Sequence, residues 1–220
     1  MKKTVLSIAL IALVSLCAAA KPTIKGRITL DGKPAAGVQV SDGTVIVSTD
    51  SRGRYSIESG KKDSIVFITT PSNTVAVAPD GLRPAFWAWL RKAPGKVERH
   101  DFTLVSEDQE RYRAVFLPDL HLSNDPRRQD LPRFEAKVFP FLQSRIEDGD
   151  GPVYMMNLGD FTHEVYWYEF DFNEEDAYNY LHDLGLRGQI YSVIGNHGHD
   201  GALVGEDVDF RSAWLYRRVW

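Results

Sequence analysis

Cysteine is almost absent from this chain: Cys17 is the only one among 220 residues. A disulfide framework is therefore excluded, and so is a metal centre built on several thiolates. No block of lysine or arginine occurs, and the formal charge is −4. The chain thus has no nucleic-acid-binding surface evident from charge, because an acidic protein is not drawn to a phosphate backbone. Chemistry on a phosphate would need a local positive charge, such as a metal ion. Beyond residue 16 no run is long or apolar enough for a transmembrane segment. Internal repeats and low-complexity segments are lacking too. What remains is 43% apolar and 25% charged, an ordinary composition for a chain that buries a core. Its length suits one large domain or two small ones.

The first twenty residues read as a leader. Lys2 and Lys3 make a basic start, Val5 to Leu16 an apolar stretch too short to span a bilayer, and Ala18-Ala19-Ala20 the small residues a signal peptidase needs. A signal peptide over residues 1–20 predicts an exported protein, periplasmic or extracellular. Cleavage after Ala20 would remove Lys2, Lys3 and Cys17, moving the charge to about −6. A lipoprotein signal is the competing reading of Cys17. It is disfavoured because Leu16 stands where lipobox sequences carry Gly, Ala or Ser.

Two textures follow. Residues 22–105 are rich in short alternating runs: Thr23 to Leu30, Val38 to Ser41, Thr44 to Thr49, Arg54 to Ile57, Ser64 to Thr69 and His100 to Leu104. Asp31-Gly32-Lys33-Pro34 and Asp50-Ser51-Arg52-Gly53 punctuate them as turns, since Gly accepts positive φ and Pro fixes its own. Many short strands predict a small β-sandwich. Phe86-Trp87-Ala88-Trp89-Leu90 is either an exposed platform for an envelope or glycan partner or, as expected here, packing against the sandwich or the next domain. Ser106 to Glu110 marks the boundary. From residue 111 to 220 the period changes. Strands are predicted at Arg113 to Leu117, Pro152 to Leu158 and Gln189 to Ile194. Helices are predicted at Leu131 to Asp148, interrupted by Pro140, and at Glu174 to Leu184. The β-α-β-α-β order predicts a mostly parallel sheet with helices on its faces. The fold class is therefore mixed α+β.

Each of these three strands ends in potential ligands: Asp119-Leu120-His121, then Asn157-Leu158-Gly159-Asp160, then Gly195-Asn196-His197. The carboxyl ends of parallel strands line one crevice, so three remote stretches are predicted to converge. Residues two apart on an extended backbone point the same way, which would aim Asp119 and His121 at one cation. Asp160 could bridge two cations, and Asn196 offers an amide oxygen to the second. Gly159 and Gly195 permit tight turns before the ligands. His/Asp/Asn donors suit zinc, manganese or iron. His100 and His182, in an ordinary strand and an ordinary helix, read as structural.

The ordered set D-x-H, G-D and G-N-H, each after an apolar strand, resembles the calcineurin-like metallophosphoesterases. Residues 22–105 in turn resemble carboxypeptidase-regulatory-like, transthyretin-like modules through Gly26-Arg27-Ile28, Gly32-Lys33-Pro34, Gly37-Val38-Gln39-Val40 and Thr49 to Tyr55. Some secreted members of the phosphoesterase family look alike at their N-terminal end, and Tyr166-Trp167-Tyr168 also looks like those members. The resemblance implies two divalent transition metal ions. Asp119, His121 and Asp160 would hold the first, and Asp160 with Asn196 the second. A hydroxide between them would attack a phosphate ester, monoester or diester, and His197 would serve the leaving oxygen as general acid.

Departures accompany the resemblance. Gly198 replaces the acidic residue that usually follows the third block; His199 and Asp200 come next and are candidates for supporting roles, as are His163 and Glu164 after the second block. No histidine follows His199. The resemblance therefore implies only the first βαβαβ half of the family's α/β sandwich, truncated after the third block, with one sheet face exposed, weak metal affinity and low turnover. The alternative reading is a non-catalytic secreted β-sandwich binding protein with a remnant metal site.

Overall fold

In the computed structural model, residues 21–76, 78, 81–149, 151–205 and 208–220 are described. The leader reading and Cys17 lie outside them. Among the described residues the β-rich half has ten strands: β1 (Ile24–Leu30), β2 (Lys33–Pro34), β3 (Gln39–Ser41), β4 (Ile46–Ser48), β5 (Arg54–Ile57), β6 (Ile65–Ile68), β7 (Thr74–Ala76), β8 (Trp87–Trp89), β9 (Glu98–Arg99) and β10 (Phe102–Ser106). One sheet runs β2-β1-β10-β7, with β5 and β9 also on β1; the other runs β4-β3-β6-β8. Alternation in β1 puts Ile24 and Ile28 inward, and β5 adds Tyr55 and Ile57. These residues share one apolar cluster with Val40, Val66 and Ile68 of the second sheet. Between β9 and β10 the chain steps over Gly26. A Cβ there would lie 1.8 Å from the His100 carbonyl oxygen, so only glycine fits.

The second half has three parallel strands in the order β11-β12-β13: β11 (Arg113–Leu117), β12 (Val153–Asn157) and β13 (Ile190–Ser192). Val115 pairs with Met155, and Met155 with Ile190. That face carries the core. Helical residues Phe134, Leu142, Ala177, Leu181 and Leu215 pack on it. The core helices share this face, because in a 1-2-3 strand order crossovers of one hand return on the same side. The opposite face carries Phe116, Met156 and Tyr191. Phe116 is 57% exposed, while Tyr154, Met156 and Tyr191 line a cleft of about 510 Å³ with Val75, Phe86 and other residues of the β-rich half.

The helices are α1 (Asp130–Arg133), α2 (Phe139–Glu147), α3 (Glu164–Glu169), α4 (Glu174–Asp183), α5 (Val208–Ser212) and α6 (Trp214–Val219). Residues Phe134–Val138 form a π turn that joins α1 to α2, with Phe139 N–H bonding back to Phe134 O. Pro140 has no N–H to give, and its ring crowds the carbonyl four residues back. The segment widens by one residue there instead of breaking. Asn173 caps α4 and, with Asp176, closes a reciprocal capping box.

The halves are tied together. Ile190 N–H bonds to Leu82 O at 2.7 Å, and Leu82 is fully buried in the second core. Trp89 Nε1 donates to Arg217 O at 3.1 Å, beneath the Arg217 guanidinium. Phe86 stacks on Tyr191. The Phe86–Leu90 segment thus packs against the neighbouring half.

Candidate metal centre

The three predicted segments meet beyond the carboxyl ends of β11, β12 and β13. They meet by a different route from the one expected for the first pair. Asp119 and His121 are not on an extended backbone: they follow the strand in left-handed conformations, φ 57° and 47°, and Asp160 does the same at 49°. Each costs on the order of 1 kcal/mol in an L residue, a strain that recurs at functional sites. Neighbouring backbone bonds hold it. His121 N–H donates to Asp160 O at 2.9 Å, Leu122 N–H to Phe161 O at 2.9 Å, and Asp119 N–H to Gly159 O at 3.3 Å. The kinked path brings the side chains together: His121 Nε2 lies 3.1 Å from Asp119 Oδ1.

His121, Asp160 and His197 each bring a donor atom within 4.8 Å of the other two. The His121 ring lies 5.0 Å from that of His197 and 5.3 Å from that of His163. Asp160 Oδ1 accepts the backbone N–H of His197 at 2.8 Å, which clamps the third segment to the second. The carboxylate keeps further lone pairs free. The glycines explain the close approach. Gly159 is left-handed, φ 105°. Gly195 is extended, with φ −101° and ψ −180°, and needs no special backbone. It is glycine because a Cβ would stand 2.1 Å from Asp160 Oδ1. Gly195 opens the turn that carries Asn196 and His197, with Gly198 N–H bonding back to Gly195 O at 3.2 Å, but through its small size and not through a left-handed backbone. Asn196 lies in the same turn, one residue before His197, and is exposed. Donors of N and O type around a glycine-lined gap fit a divalent transition metal.

The supporting candidates separate into two groups. Glu164 Oε2 lies 2.8 Å from His197 Nδ1 and 3.0 Å from His163 Nδ1, so both residues belong to the site. Burial lowers the pKa of His163; Glu164 opposes this, and His197 and His121 add to it. His199 instead pairs with Ser212, its Nδ1 2.8 Å from Oγ. Asp200 is buried and accepts from Tyr168 Oη at 2.7 Å, Trp214 Nε1 at 3.0 Å and Ala202 N–H at 3.0 Å. Burial alone would raise its pKa, but these bonds hold it below the usual carboxylate range. The acidic residue after the third block is thus engaged in anchoring its own loop.

Glu174 was not legible as part of this region. It is 1% exposed and accepts from Thr162 Oγ1 at 2.8 Å and Trp220 Nε1 at 2.9 Å. Thr162 also receives Trp167 Nε1, at 2.9 Å. Burial pushes the Glu174 carboxyl up, against those bonds, and Asp160 adds to the rise. In sequence it reads as a surface acid in the first turn of a helix.

Residues 22–107 match the family model described as the N-terminal domain of calcineurin-like phosphoesterases. The matched stretch ends before β11. Comparison with curated proteins gives no match, and neither does comparison with solved structures. Residues 22–107, the β-rich half, are thus similar to the N-terminal domain of calcineurin-like phosphoesterases.

Proposed function

We propose that this chain is an exported phosphoesterase that cleaves phosphomonoester or phosphodiester bonds with two divalent ions, zinc, manganese or iron. One observation carries the reading. Donor atoms of His121, Asp160 and His197, from three separate strand ends, gather within 4.8 Å, with Asp119 on His121. Asp119, His121 and Asp160 would hold one ion, and Asp160 with Asn196 the other. Such ions, when bound, supply the activated nucleophile and offset charge on the phosphoryl oxygens.

The remaining work falls to the chain itself. Glu164 accepts Nδ1–H of His197 and fixes the ring. That leaves Nε2 to carry the proton delivered to the leaving oxygen. Asp160, by accepting the backbone N–H of His197, sets the position of that ring relative to the ligands. Export is supported by the leader-like residues 1–20, and no helix among the described residues is long and apolar enough to cross a membrane.

The test is hydrolysis of aryl phosphomonoesters and diesters by the metal-loaded chain. Asp160→Asn is expected to abolish turnover, and His197→Gln to slow it by about 10²–10⁴-fold. Both variants should retain the circular dichroism of the parent. Turnover unchanged in Asp160→Asn would contradict the reading.

A further inference from the structure

The net charge of −4 conceals a local excess of the opposite sign. In the β-rich half β1 runs between β5 and β9, and Lys25, Arg27, Arg54 and Arg99 line one cleft of about 670 Å³. Their register sets like against like: Arg27 lies directly opposite Arg54, and Lys25 opposite Arg99. Like charges in such cross-strand positions are destabilising. Two carboxylates offset part of the charge. Asp50 pairs with Arg54 at 2.8 Å and Asp101 with Arg99 at 2.9 Å. Asp101 also accepts the backbone N–H of Arg27, at 2.7 Å. Lys25 Nζ and the Arg27 guanidinium have no ion-pair partner among the described residues. A chain keeps a local conflict of this kind where a function needs it.

The surroundings narrow the class of anion. Neighbouring strands lie about 4.8 Å apart, and residues two apart on a strand about 6.6 Å, so the cations cover a patch of roughly 10 by 7 Å. A small anion meets part of it, whereas a chain of anionic groups can meet all four. Val47 packs against the sandwich core, and Tyr55 is buried with its Oη bonded to His100 O at 2.7 Å. The described lining thus offers no apolar wedge for a lipid surface and no free ring for a nucleobase to stack on. Ser48 and Ser56 also line the cleft, are exposed, and can bond to hydroxyl groups.

We propose that this outer face of β5, β1 and β9 binds an acidic polysaccharide. Its carboxylate or sulfate groups engage Lys25 and Arg27, and its hydroxyls engage the two serines. Arg54 and Arg99, each 58% exposed at the side chain, flank the pair and keep N–H donors beyond those their carboxylates use. The face is distinct from Phe86–Leu90, which packs against the neighbouring half. It shares no residue with the metal centre, so the inference stands apart from the phosphoesterase reading.

Calorimetric titration of the full chain at low ionic strength tests this. The probes are polygalacturonate and dextran sulfate, beside neutral dextran, phosphatidylglycerol vesicles and a single-stranded oligothymidylate. The wild type is expected to bind the two acidic polymers, more weakly as salt is added, and to ignore neutral dextran. Affinity should fall at least tenfold in Lys25→Gln/Arg27→Gln. Arg99→Gln, a second variant that leaves β1 intact, should lose at least threefold. The control Arg133→Gln/Lys137→Gln makes the same charge change at two exposed positions far along the chain and should bind as the wild type does. Without polymer, Lys25→Gln/Arg27→Gln should melt no lower than the parent, because two opposed like-charge pairs are gone; a lower melting temperature would contradict the like-charge account. Equal losses in the two double variants would reduce the effect to net charge and overturn the site, as would a wild type that binds neither acidic polymer. Tighter binding to the vesicles or the oligothymidylate than to both polysaccharides would overturn the choice of partner.

Discussion

Gly195 lacks a side chain because Asp160 occupies the space one would need. A methyl group there would fall 2.1 Å from Asp160 Oδ1 and 2.5 Å from the Asp160 backbone nitrogen, and the backbone atom cannot swing aside. Gly195→Ala is therefore expected to cost about 1–3 kcal/mol in stability. It should also weaken metal binding, because the clamp from His197 N–H to Asp160 must open. Thermal unfolding with and without added Mn²⁺ measures both; an unshifted transition would contradict the steric account. At this scale the sequence was informative about identity more than geometry. The pairing of Asp119 with His121 was expected from strand alternation and arises from two left-handed residues beyond the strand. Nothing in the residue types D-L-H announces that backbone. It is fixed by bonds to Gly159 and Asp160, forty residues away. Glu174 stayed invisible for the same reason: its partners Thr162 and Trp220 are remote in sequence.

Among elements, those with strong periodicity were legible. The core strands β1, β5, β6, β11 and β12 and helix α4 lie where alternation or helical spacing put them. The short strands β7, β8 and β9 were not read as strands, because two or three residues carry no period. What holds β9 in place is a buried charge pair. Lys61 and Glu98, 3% and 5% exposed at their side chains, are bonded to each other. Lys61 Nζ also reaches Lys92 O and Lys96 O, and Glu98 accepts N–H from Arg91 and Lys92. The pair pins the loop between β8 and β9. Burial would raise the Glu98 pKa, but Lys61 and the two N–H groups bring it down to about 2. A carboxyl lowered from 4.5 stabilises the fold above that ordinary value, and the contribution fades as pH falls toward about 2. Lys61→Met, which strands the buried carboxylate, is expected to cost about 3–5 kcal/mol in urea unfolding at pH 7. The deficit should narrow as the solution is acidified. A loss under about 1 kcal/mol would show the pair to be dispensable.

The whole molecule joins a β-rich half to a three-stranded parallel sheet through Leu82, Trp89 and Phe86, and buries the Glu174 carboxyl behind its site. The fold class and the convergence of three strand ends were readable because parallel β-α-β order dictates both. Which face the core helices take depends on strand order, which no local pattern encodes. Glu174 gives a signature at this scale, for it links α4, the segment after Asp160 and the C-terminal Trp220. Its folded pKa is raised above 4.5, so the protonated acid is the better-tolerated form. Its stabilising contribution is present below that value and lost as pH rises through the folded pKa. In EDTA, the melting temperature of Glu174→Gln is expected to gain on the parent as pH rises from about 4.5 to 7. A difference independent of pH would contradict a raised carboxyl.

The central claim is that ligands from three strand ends surround metal. Anomalous diffraction from crystals grown with zinc, recorded above and below the absorption edge, tests it directly. The account predicts density within bonding distance, about 2.0–2.2 Å, of His121 and Asp160, with Asp119 and Asn196 beside it. Zinc density confined to other surfaces, with the His121 and Asp160 side chains turned away from each other, would contradict it.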